Sequence, residues 1–472
     1  MQIGKSNILR LWTAVLAVVM MVLPQVTSAQ SSSLNAYSPY SMYGLGEIHT
    51  PGSVQMRSMG GVGIGLRNAA QVNTLNPAAA SMAPQKSFLF DVNFDASHYR
   101  NNQAKYAADG SYVGKARTAF NTANIHNIGL AFPVAKNLGA IFNISPYSSV
   151  GYKMLTTDEN EDNWADIGRV QYIYAGDGDI TEVKLALGWA PARWFSVGVA
   201  ARYFWGNIDR EYTTQVSNQI TGNGTYSPTK GVDSFIVSNF KFQAGVQFNA
   251  IYNEKRVLTF GLTYDLGGKL NPREQNYVYT DNQYNGSVSG GFPIINKIDK
   301  LELRIPHQVG AGVYYVDRKV ACGVDYNYAM WGDDNSSYVE NGNAANIAVS
   351  YSNTHTIKLG LEYTPRRGDT RSYFNRMSYR VGARLGNYYQ NFAGQRINTL
   401  AITAGIGLPI RLWGSSSVNI GFEYGRMSAP QSAKINGAKV GLSTQNYYKI
   451  SVGFSLFSID TQDYWFVRQK YD

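Results

Sequence analysis

The chain has 472 residues, of which 44% are hydrophobic and 16% charged, with 47 Gly, 34 Tyr and one Cys. The lone Cys322 excludes a disulfide scaffold, the many aromatics exclude a disordered chain, and the negative mean hydropathy excludes a bundle of membrane helices. A large all-β protein with many turns remains. The net charge of +10 comes from scattered basic residues, with no run longer than Arg366–Arg367, which argues against nucleic acid as a partner.

The first 29 residues have the pattern of an export signal. Lys5 and Arg10 precede the apolar stretch Leu11–Leu23, and small residues follow at Thr27–Ala29. Thirteen apolar residues are too few to span a bilayer, so we predict a signal peptide over residues 1–29, cleaved after Ala29. No later apolar run is long enough for a membrane helix, which leaves a periplasmic protein, a secreted protein or a membrane barrel.

Residues 30–86 do not show strand alternation. They contain Gly60 and Gly61 within a glycine-rich run, followed by the sequence Asn76-Pro77-Ala78. Glycine permits tight turns and a close approach of backbones. A segment of this kind ahead of a barrel can fold back into the lumen as a plug, or hatch, because a wide lumen is not filled by side chains alone.

Residues 87–457 carry a repeated two-residue alternation, which predicts strands. In Val320–Trp331, for example, one face is apolar and the other is small or polar. We predict fourteen strands, most of them long enough to cross a membrane at a tilt. Their spans are 87–99, 119–132, 139–154, 180–190, 195–212, 233–250, 257–267, 301–316, 320–331, 353–363, 378–391, 397–410, 417–426 and 446–457.

The predicted connections tend to alternate between long and short, as in outer-membrane barrels. The fold class is therefore an all-β, 14-stranded antiparallel transmembrane barrel with an N-terminal hatch, and residues 458–472 form a periplasmic tail. The apolar face should meet lipid and the polar face the lumen. Tyrosines near strand ends should form the interfacial girdles; these are Tyr99, Tyr172, Tyr174, Tyr264, Tyr328, Tyr388 and Tyr389.

The motifs resemble those of the FadL/TodX family of outer-membrane transporters of hydrophobic compounds. Met59-Gly60-Gly61 and Asn76-Pro77-Ala78 match the family's hatch, and Pro306 precedes a glycine-centred strand as in the family. The Asn- and Tyr-rich texture, with the tail Tyr464–Arg468, resembles the branch found in Bacteroidota. The resemblance implies passive uptake of a fatty-acid-like or aromatic molecule past the hatch and out through an opening in the wall.

The family's wall opening is made by a kinked third strand, and here the third predicted strand contains Pro146 between Ser145 and Tyr147. Proline removes a ladder donor and favours an edge or a bulge. We therefore predict that Ser145, Pro146 and Tyr147 border a lateral opening. An alternative with equal support from the sequence is that Pro146 lies in an extracellular extension of the strand.

The resemblance implies a monomer in the Gram-negative outer membrane, with membrane lipid and a hydrophobic small molecule as partners and with no cofactor. The alternative function is a partner-binding or shuttle component of a type IX secretion system. A barrel lipase would need His98 and His126 to approach each other near a serine, but no motif marks that serine, so we expect no enzyme activity. Acidic residues between 158 and 166 could bind Ca²⁺, although a solvated loop is favoured.

Overall fold

Fourteen antiparallel strands form a closed wall, as predicted, because the first strand pairs with the last. The computed structural model describes residues 36–84, 87–107, 109–157, 168–217, 227–270, 273–280, 296–297, 304–335, 349–369, 371–410, 416–430, 432–435 and 438–457. The predicted signal peptide, the acidic run 158–166 and the tail 458–472 lie outside these residues. Within these ranges, no helix is both long and apolar enough to cross a membrane.

The wall strands are named β1–β14 in chain order, and each pairs with its neighbours in sequence. They are β1 Leu89–Tyr106, β2 Tyr112–Ala135, β3 Leu138–Thr157, β4 Arg169–Ala192, β5 Phe195–Ser217, β6 Thr229–Tyr252, β7 Arg256–Asp265, β8 Gln308–Asp317, β9 Val320–Ala329, β10 Thr354–Tyr363, β11 Ser378–Phe392, β12 Gln395–Pro409, β13 Ser417–Ser428 and β14 Ser443–Phe457.

Short elements complete the wall and its connections. Arg273–Thr280 prolongs β7 along β6 after an interruption, and Asn296–Lys297 pairs with it in turn. The remaining strands are Glu47–Ile48, Gly268–Lys269 with Arg304–Ile305, Val349–Tyr351, and Ser432–Ile435 with Ala438–Gly441. The helices are Val54–Arg57 and Trp331–Asp334, and the 3₁₀ helices are Pro39–Met42, Pro77–Met82 and Phe374–Arg376.

The two faces of the wall differ as the alternation predicts. On β4, the side chains of Leu185, Leu187 and Trp189 are exposed on the outside, whereas Lys184 and Ala186, which alternate with them, are buried against the lumen contents. This arrangement, with apolar side chains outside and polar ones inside, is the reverse of that in a soluble protein, and it recurs around the barrel. An apolar exterior and a polar interior are what a membrane strand requires, because its outer face meets lipid.

Several strands extend beyond their predicted ends on the side of the long connections. β1 continues to Tyr106 and β2 begins at Tyr112, so the predicted long connection between them is mostly a paired hairpin. Apart from the buried Asn101, the described side chains on both faces of this hairpin are partly or fully exposed, so no apolar alternation marks it. The eighth strand begins at Gln308, just after Pro306, which has no N–H to donate to a ladder, and Arg304–Ile305 before it pairs with Gly268–Lys269 instead. Residues 301–303 of the predicted span lie outside the described residues.

The predicted tyrosine girdles are only partly correct. Tyr264 is exposed on the outside, as a girdle residue should be. Tyr99, Tyr388 and Tyr389 are instead buried on the lumen side, where Tyr388 packs on Tyr40 of the N-terminal segment with ring centroids 6.2 Å apart. Position along a strand predicts the height of a side chain, but its face depends on the parity of the strand and on irregularities such as the register shift between Asn387 and Asn391, which lets the adjacent Tyr388 and Tyr389 both face inward.

Candidate functional site

The N-terminal segment, residues 36–84, lies inside the barrel and is called the hatch below. Its first part, with Pro39–Met42 and Glu47–Ile48, contacts the outer half of β3, while Pro77–Met82 packs against β3–β6 near their short turns. Ala36, Leu45, Asn76 and Ala78 are fully buried. The hatch therefore crosses the lumen from the end with the long connections to the end with the short turns.

Asn76-Pro77-Ala78 ties the hatch to itself and to the wall. The Asn76 side-chain Oδ1 accepts a hydrogen bond from the Ala78 N–H at 3.0 Å, which caps the short 3₁₀ helix, and Pro77 occupies its first position. The Asn76 Nδ2 donates to the carbonyl of Ile64 at 2.9 Å and to that of Val246 on β6 at 3.1 Å. One buried amide thus joins two legs of the hatch and the barrel.

Gly60 and Gly61 lie at a turn where the hatch backbone touches β10 and β11. Both have left-handed backbone angles, with φ of 72° and 85°. A Cβ on Gly60 would lie 2.6 Å from the carbonyl oxygens of Leu359 and Ala383, so no larger residue fits. The Gly60 N–H donates to Thr403 Oγ1 at 2.9 Å.

A row of inward glycines on the wall receives the hatch, a feature that was not predicted from the sequence. Each strand from β2 to β14 has at least one glycine at which a Cβ would lie within 4 Å of a hatch atom; β8 has two, Gly310 and Gly312. On β1, the Asn93 side chain instead accepts a hydrogen bond from the Val54 N–H at 3.2 Å. A glycine recurring once per strand at an inward position was the available signal. The row comprises Gly129, Gly139, Gly188, Gly198, Gly245, Gly261, Gly312, Gly323, Gly360, Gly382, Gly405, Gly421 and Gly453.

Buried ionic groups hold the hatch at two further places. Asp325 of β9 accepts hydrogen bonds from the N–H groups of Gly63 at 2.7 Å and Ile64 at 2.9 Å. On the other side of the barrel, the Arg57 guanidinium binds Asp95 of β1 through two hydrogen bonds of 2.6 and 2.8 Å. These groups are nearly inaccessible to solvent. Removing one partner would leave the other buried without compensation, which strongly destabilises the docked hatch.

A cavity of about 300 Å³ lies in the middle of the lumen, beside the hatch. Its lining includes Lys184, Lys358 and Lys449 together with two ionic clusters. In the first, Arg202 contacts Glu182 at 2.8 Å and Asp265 at 2.6 Å; in the second, Arg384 contacts Glu423 at 2.6 Å. The lining therefore combines many charged side chains with apolar ones, such as Ile48 and Leu75 of the hatch.

Two titratable hatch residues border this cavity. Burial raises the pKa of the Glu47 carboxyl, and the nearby Lys449 only partly opposes that effect. Burial, followed by the positive charge of Lys449, lowers the pKa of His49 to about 3. His49 is therefore neutral near pH 7. Its Nε2 lies 2.6 Å from the Ser149 hydroxyl of β3.

The wall is interrupted between β2 and β3. These strands pair only from Ala135 and Leu138 at the short turn up to Ile128 and Ile144, and the ladder then stops. On its other edge β3 pairs with β4 along nearly its whole length, with a register shift between Pro146 and Ser148. Ser145, Pro146 and Tyr147 therefore follow directly after the last residue that pairs with β2.

The hatch occupies the place of the missing ladder. Glu47 and Ile48 pair with Ser149 and Ser148 of β3. Toward β2, the carbonyl oxygen of Thr50 lies 3.0 Å from His126 Nε2, and the ring of Tyr37 stacks on Phe120 with centroids 4.7 Å apart. The residues between Tyr37 and Thr50 thus contact both edges of the interruption.

Above the cavity, a large apolar cluster fills the lumen at the end with the long connections. It joins Tyr40, Tyr43 and Leu45 of the hatch to side chains from many strands, among them Phe204 and Phe392. The cavity thus lies between this cluster and the part of the hatch that rests on the glycines.

The histidine pair needed for a barrel lipase is not formed. His98 lies on the outer face and its Nδ1 is 2.7 Å from Asn121 Oδ1, whereas His126 is buried on the lumen side, 3.2 Å from Asp95. A bulge opposite Asn93 and Phe94 places His126 on the inward face. Among the described residues, no cluster of three or more His, Cys, Asp or Glu could hold a metal ion. Cys322 is half-buried.

Solved structures share this architecture. A Pseudomonas aeruginosa FadL homologue matches with a TM-score of 0.52 and 14% identity, over 87% of this chain and 99% of that one. The Pseudomonas putida toluene transporter TodX matches at 0.51 and 12%, over 86% and 97%. The monoaromatic hydrocarbon channel CymD matches at 0.50 and 14%, over 86% and 97%. At these identities the similarity shows a shared fold, which confirms the predicted FadL/TodX-like barrel.

Sequence comparison identifies a family but no individual relative. No curated protein sequence matches the chain. A family model described as BamG matches residues 11–472, which is nearly the whole chain. The protein, an outer-membrane-type barrel with the FadL architecture, therefore belongs to the BamG family.

Proposed function

We propose that this protein is an outer-membrane channel for passive uptake of hydrophobic small molecules, fatty-acid-like or aromatic, which leave the lumen through the wall between β2 and β3. The observation that carries the proposal is the interrupted ladder, which ends at Ile128 and Ile144. The fold adds support, since the structures it resembles include a toluene transporter and a monoaromatic hydrocarbon channel.

The height of the interruption fits an exit into the membrane. From Leu138 at the short turn to Ile144, β3 rises roughly 16 Å along the barrel axis, at about 3.4 Å per residue and a tilt of about 40°. The apolar band of such a barrel is about 25 Å tall, so the opening begins inside it. Pro146 supports a lasting break because it has no N–H with which to complete a ladder.

The hatch residues Glu47–Thr50 act as the gate in this proposal. They contact both edges of the interruption, and the cavity lies directly behind them, lined by Ser145, Pro146 and Tyr147 as well as by Glu47 and His49. A molecule in the cavity therefore has a short path to the opening once these few contacts break. Nothing in the described residues or in the three matching structures favours the alternative role in type IX secretion.

A disulfide across the gate tests the proposal. Ile48 and Ser148 are register partners on adjacent antiparallel strands, so Ile48→Cys with Ser148→Cys, in a Cys322→Ser background, can lock the hatch strand to β3. We expect oxidised cells to lose at least about tenfold of their uptake of radiolabelled oleate or toluene, and a reductant to restore it, because a covalent tie adds a barrier of more than about 1.4 kcal/mol.

The matched control is Ala186→Cys with Ala200→Cys, which are register partners within the continuous wall between β4 and β5. This disulfide should leave uptake unchanged. If the locked gate transports as fast as the control, the exit between β2 and β3 is wrong. If neither variant nor the wild-type protein raises uptake above that of cells lacking it, hydrophobic uptake itself is wrong.

A further inference from the structure

Two rows of side chains, one directly above the other, cross the outer face of β1, β14 and β13. In the lower row, called the ring row, His98 is the register partner of Tyr448, which is in turn the partner of Tyr424. Their rings are neighbours, with centroids 6.4 Å apart for His98 and Tyr448 and 5.3 Å apart for Tyr448 and Tyr424. The row is a continuous aromatic strip on the outside of the barrel.

The second row, called the arginine row, lies two residues further along each strand. Arg100 is the register partner of Asn446, and Asn446 is the partner of Arg426. Both arginines are exposed, and the Asn446 Oδ1 accepts a hydrogen bond from Tyr424 in the ring row at 3.2 Å. With one strand between them, the two arginine backbones lie about 10 Å apart, within reach of a single head group.

The two rows lie at the upper limit of the apolar band. Counting from Leu89, where β1 begins at the short-turn end, His98 stands roughly 23 Å and Arg100 roughly 29 Å along the axis, for a band about 25 Å tall. Directly below the ring row, Ile450 and Phe422 are exposed, as lipid-facing residues are. The arginine row is therefore level with the phosphates and sugars of the outer leaflet.

The charge around these rows is of one sign. In the described parts of β1, β2, β13 and β14, the acidic side chains Asp91, Asp95 and Glu423 are all buried on the lumen side. On the outside, Arg117 of β2 is exposed one row above Arg100, opposite Asn102. Basic residues that are scattered in the sequence are thus brought together on one sector of the wall. Part of the net charge of +10 is therefore concentrated there.

We propose that the ring row and the arginine row form a binding site for the phosphorylated head group of a glycolipid in the outer leaflet. Arginine suits this ligand because its planar guanidinium donates paired hydrogen bonds to phosphate oxygens. The rings below present flat faces to the sugar and the first methylene groups, as aromatic belts do at membrane interfaces. The site lies on the outer wall, away from the cavity and the gate.

Native mass spectrometry of the full-length purified protein tests this site. The delipidated protein is mixed with bisphosphorylated lipid A or with the same lipid after removal of both phosphates. We expect a one-to-one adduct with the phosphorylated form and at least a tenfold weaker one with the dephosphorylated form. Arg100→Gln with Arg426→Gln should lower the first adduct at least tenfold.

The control is Arg318→Gln with Lys319→Gln, which removes the same charge from an exposed turn at the other end of the barrel. It should bind as the wild-type protein does. Heat-dependent gel mobility shows that each variant is a folded barrel before it is compared. The site is refuted if the double arginine variant keeps the adduct, if the control loses it equally, or if the wild-type protein binds both lipids alike.

Discussion

Two seams of the wall, separated only by the seam between β3 and β4, show how one chain can both close and open a barrel. The strands of the first seam, β4 and β5, pair without a break from Arg169 to Trp189. Those of the second, β2 and β3, are of similar length but pair only between residues 128 and 144. At the first seam the hatch packs against the wall and accepts a side-chain hydrogen bond from Lys184, whereas at the second its own backbone pairs with β3.

The difference lies in what replaces the hydrogen bonds of the ladder. A continuous seam needs only alternating strands, and glycines such as Gly188 and Gly198 leave room for the hatch beside it. An interrupted seam leaves backbone groups that must find other partners, since an unpaired group in an apolar setting is costly. Here Glu47–Thr50 and their buried polar neighbours supply those partners, so the closure of this seam depends on side-chain chemistry.

The largest expected effect is at the interrupted seam. Asp95→Ala removes the carboxylate that binds Arg57 and lies 3.2 Å from His126, and it leaves the buried Arg57 guanidinium without a counter-charge. We expect the free energy of hatch docking to fall by about 3–5 kcal/mol. Hydrogen exchange of the hatch amides at Val54–Arg57, followed by mass spectrometry, measures this loss.

Asp317→Ala is the matched control, because Asp317 pairs with Arg256 at 3.5 Å on an exposed turn. Such a pair contributes at most about 1 kcal/mol. Equal exchange in the two variants would show that the ionic contact of Arg57 does not hold the hatch.

A smaller effect is expected at the continuous seam. In Gly198→Ala the new methyl would lie 2.3 Å from the Pro77 carbonyl carbon and 2.4 Å from the Ala78 nitrogen, so the hatch must move away from β5. Overpacking of this kind costs about 1–3 kcal/mol. Urea unfolding followed by tryptophan fluorescence measures it, with Gly368→Ala, where nothing lies within 4 Å, as the control. A similar cost in both variants would contradict the close packing.

The smallest effect is a pH dependence at the interrupted seam. Burial lowers the pKa of His49 to about 3, so the docked hatch favours the neutral ring. The resulting stabilisation of the docked hatch is complete at pH values above 6.5, the ordinary pKa of histidine. This contribution declines as the pH falls toward 3, and by pH 5 the loss is at most about 2 kcal/mol. Hydrogen exchange of the hatch, corrected for intrinsic rates, should be faster at pH 5 than at pH 7.5.

His49→Gln should abolish that acceleration. Glu47 acts in the opposite direction, because its pKa is raised and its protonated form favours docking at low pH. Glu47→Gln should therefore increase the acceleration seen in the wild-type protein. If His49→Gln leaves the pH dependence unchanged, another group controls the gate.

Much of the wall could be predicted from the sequence because lipid imposes a two-residue period on every strand that crosses it. Val320–Ala329 is a strand, with Val324 and Tyr326 exposed outside, for that reason. Outside the membrane this constraint ends. The hairpin formed by the outer parts of β1 and β2, up to Tyr106 and from Tyr112, therefore has no two-residue period, and the sequence predicts a loop there.

The site was predicted less completely. The short motifs around Gly60 and Asn76 marked the hatch, because a left-handed turn and a capping side chain leave recognisable residues. The ionic contacts that hold it were missed, since Arg57 and Asp95 are 38 residues apart and nothing in the chain marks them as a pair. The roles of Pro146 and its neighbours stay a proposal, which the locked gate tests.

By itself, the sequence determined the strand number, the inverted polarity of the wall and the presence of a compact N-terminal segment, because these follow from local periodicity and composition. The tertiary structure alone decided which face Tyr99, Tyr388 and His126 occupy, where the β2–β3 ladder ends, and how glycines from thirteen strands form one row. Those features depend on register and closure. Both are set by pairing between residues far apart in the chain, and a one-residue shift or bulge reverses a side chain's face.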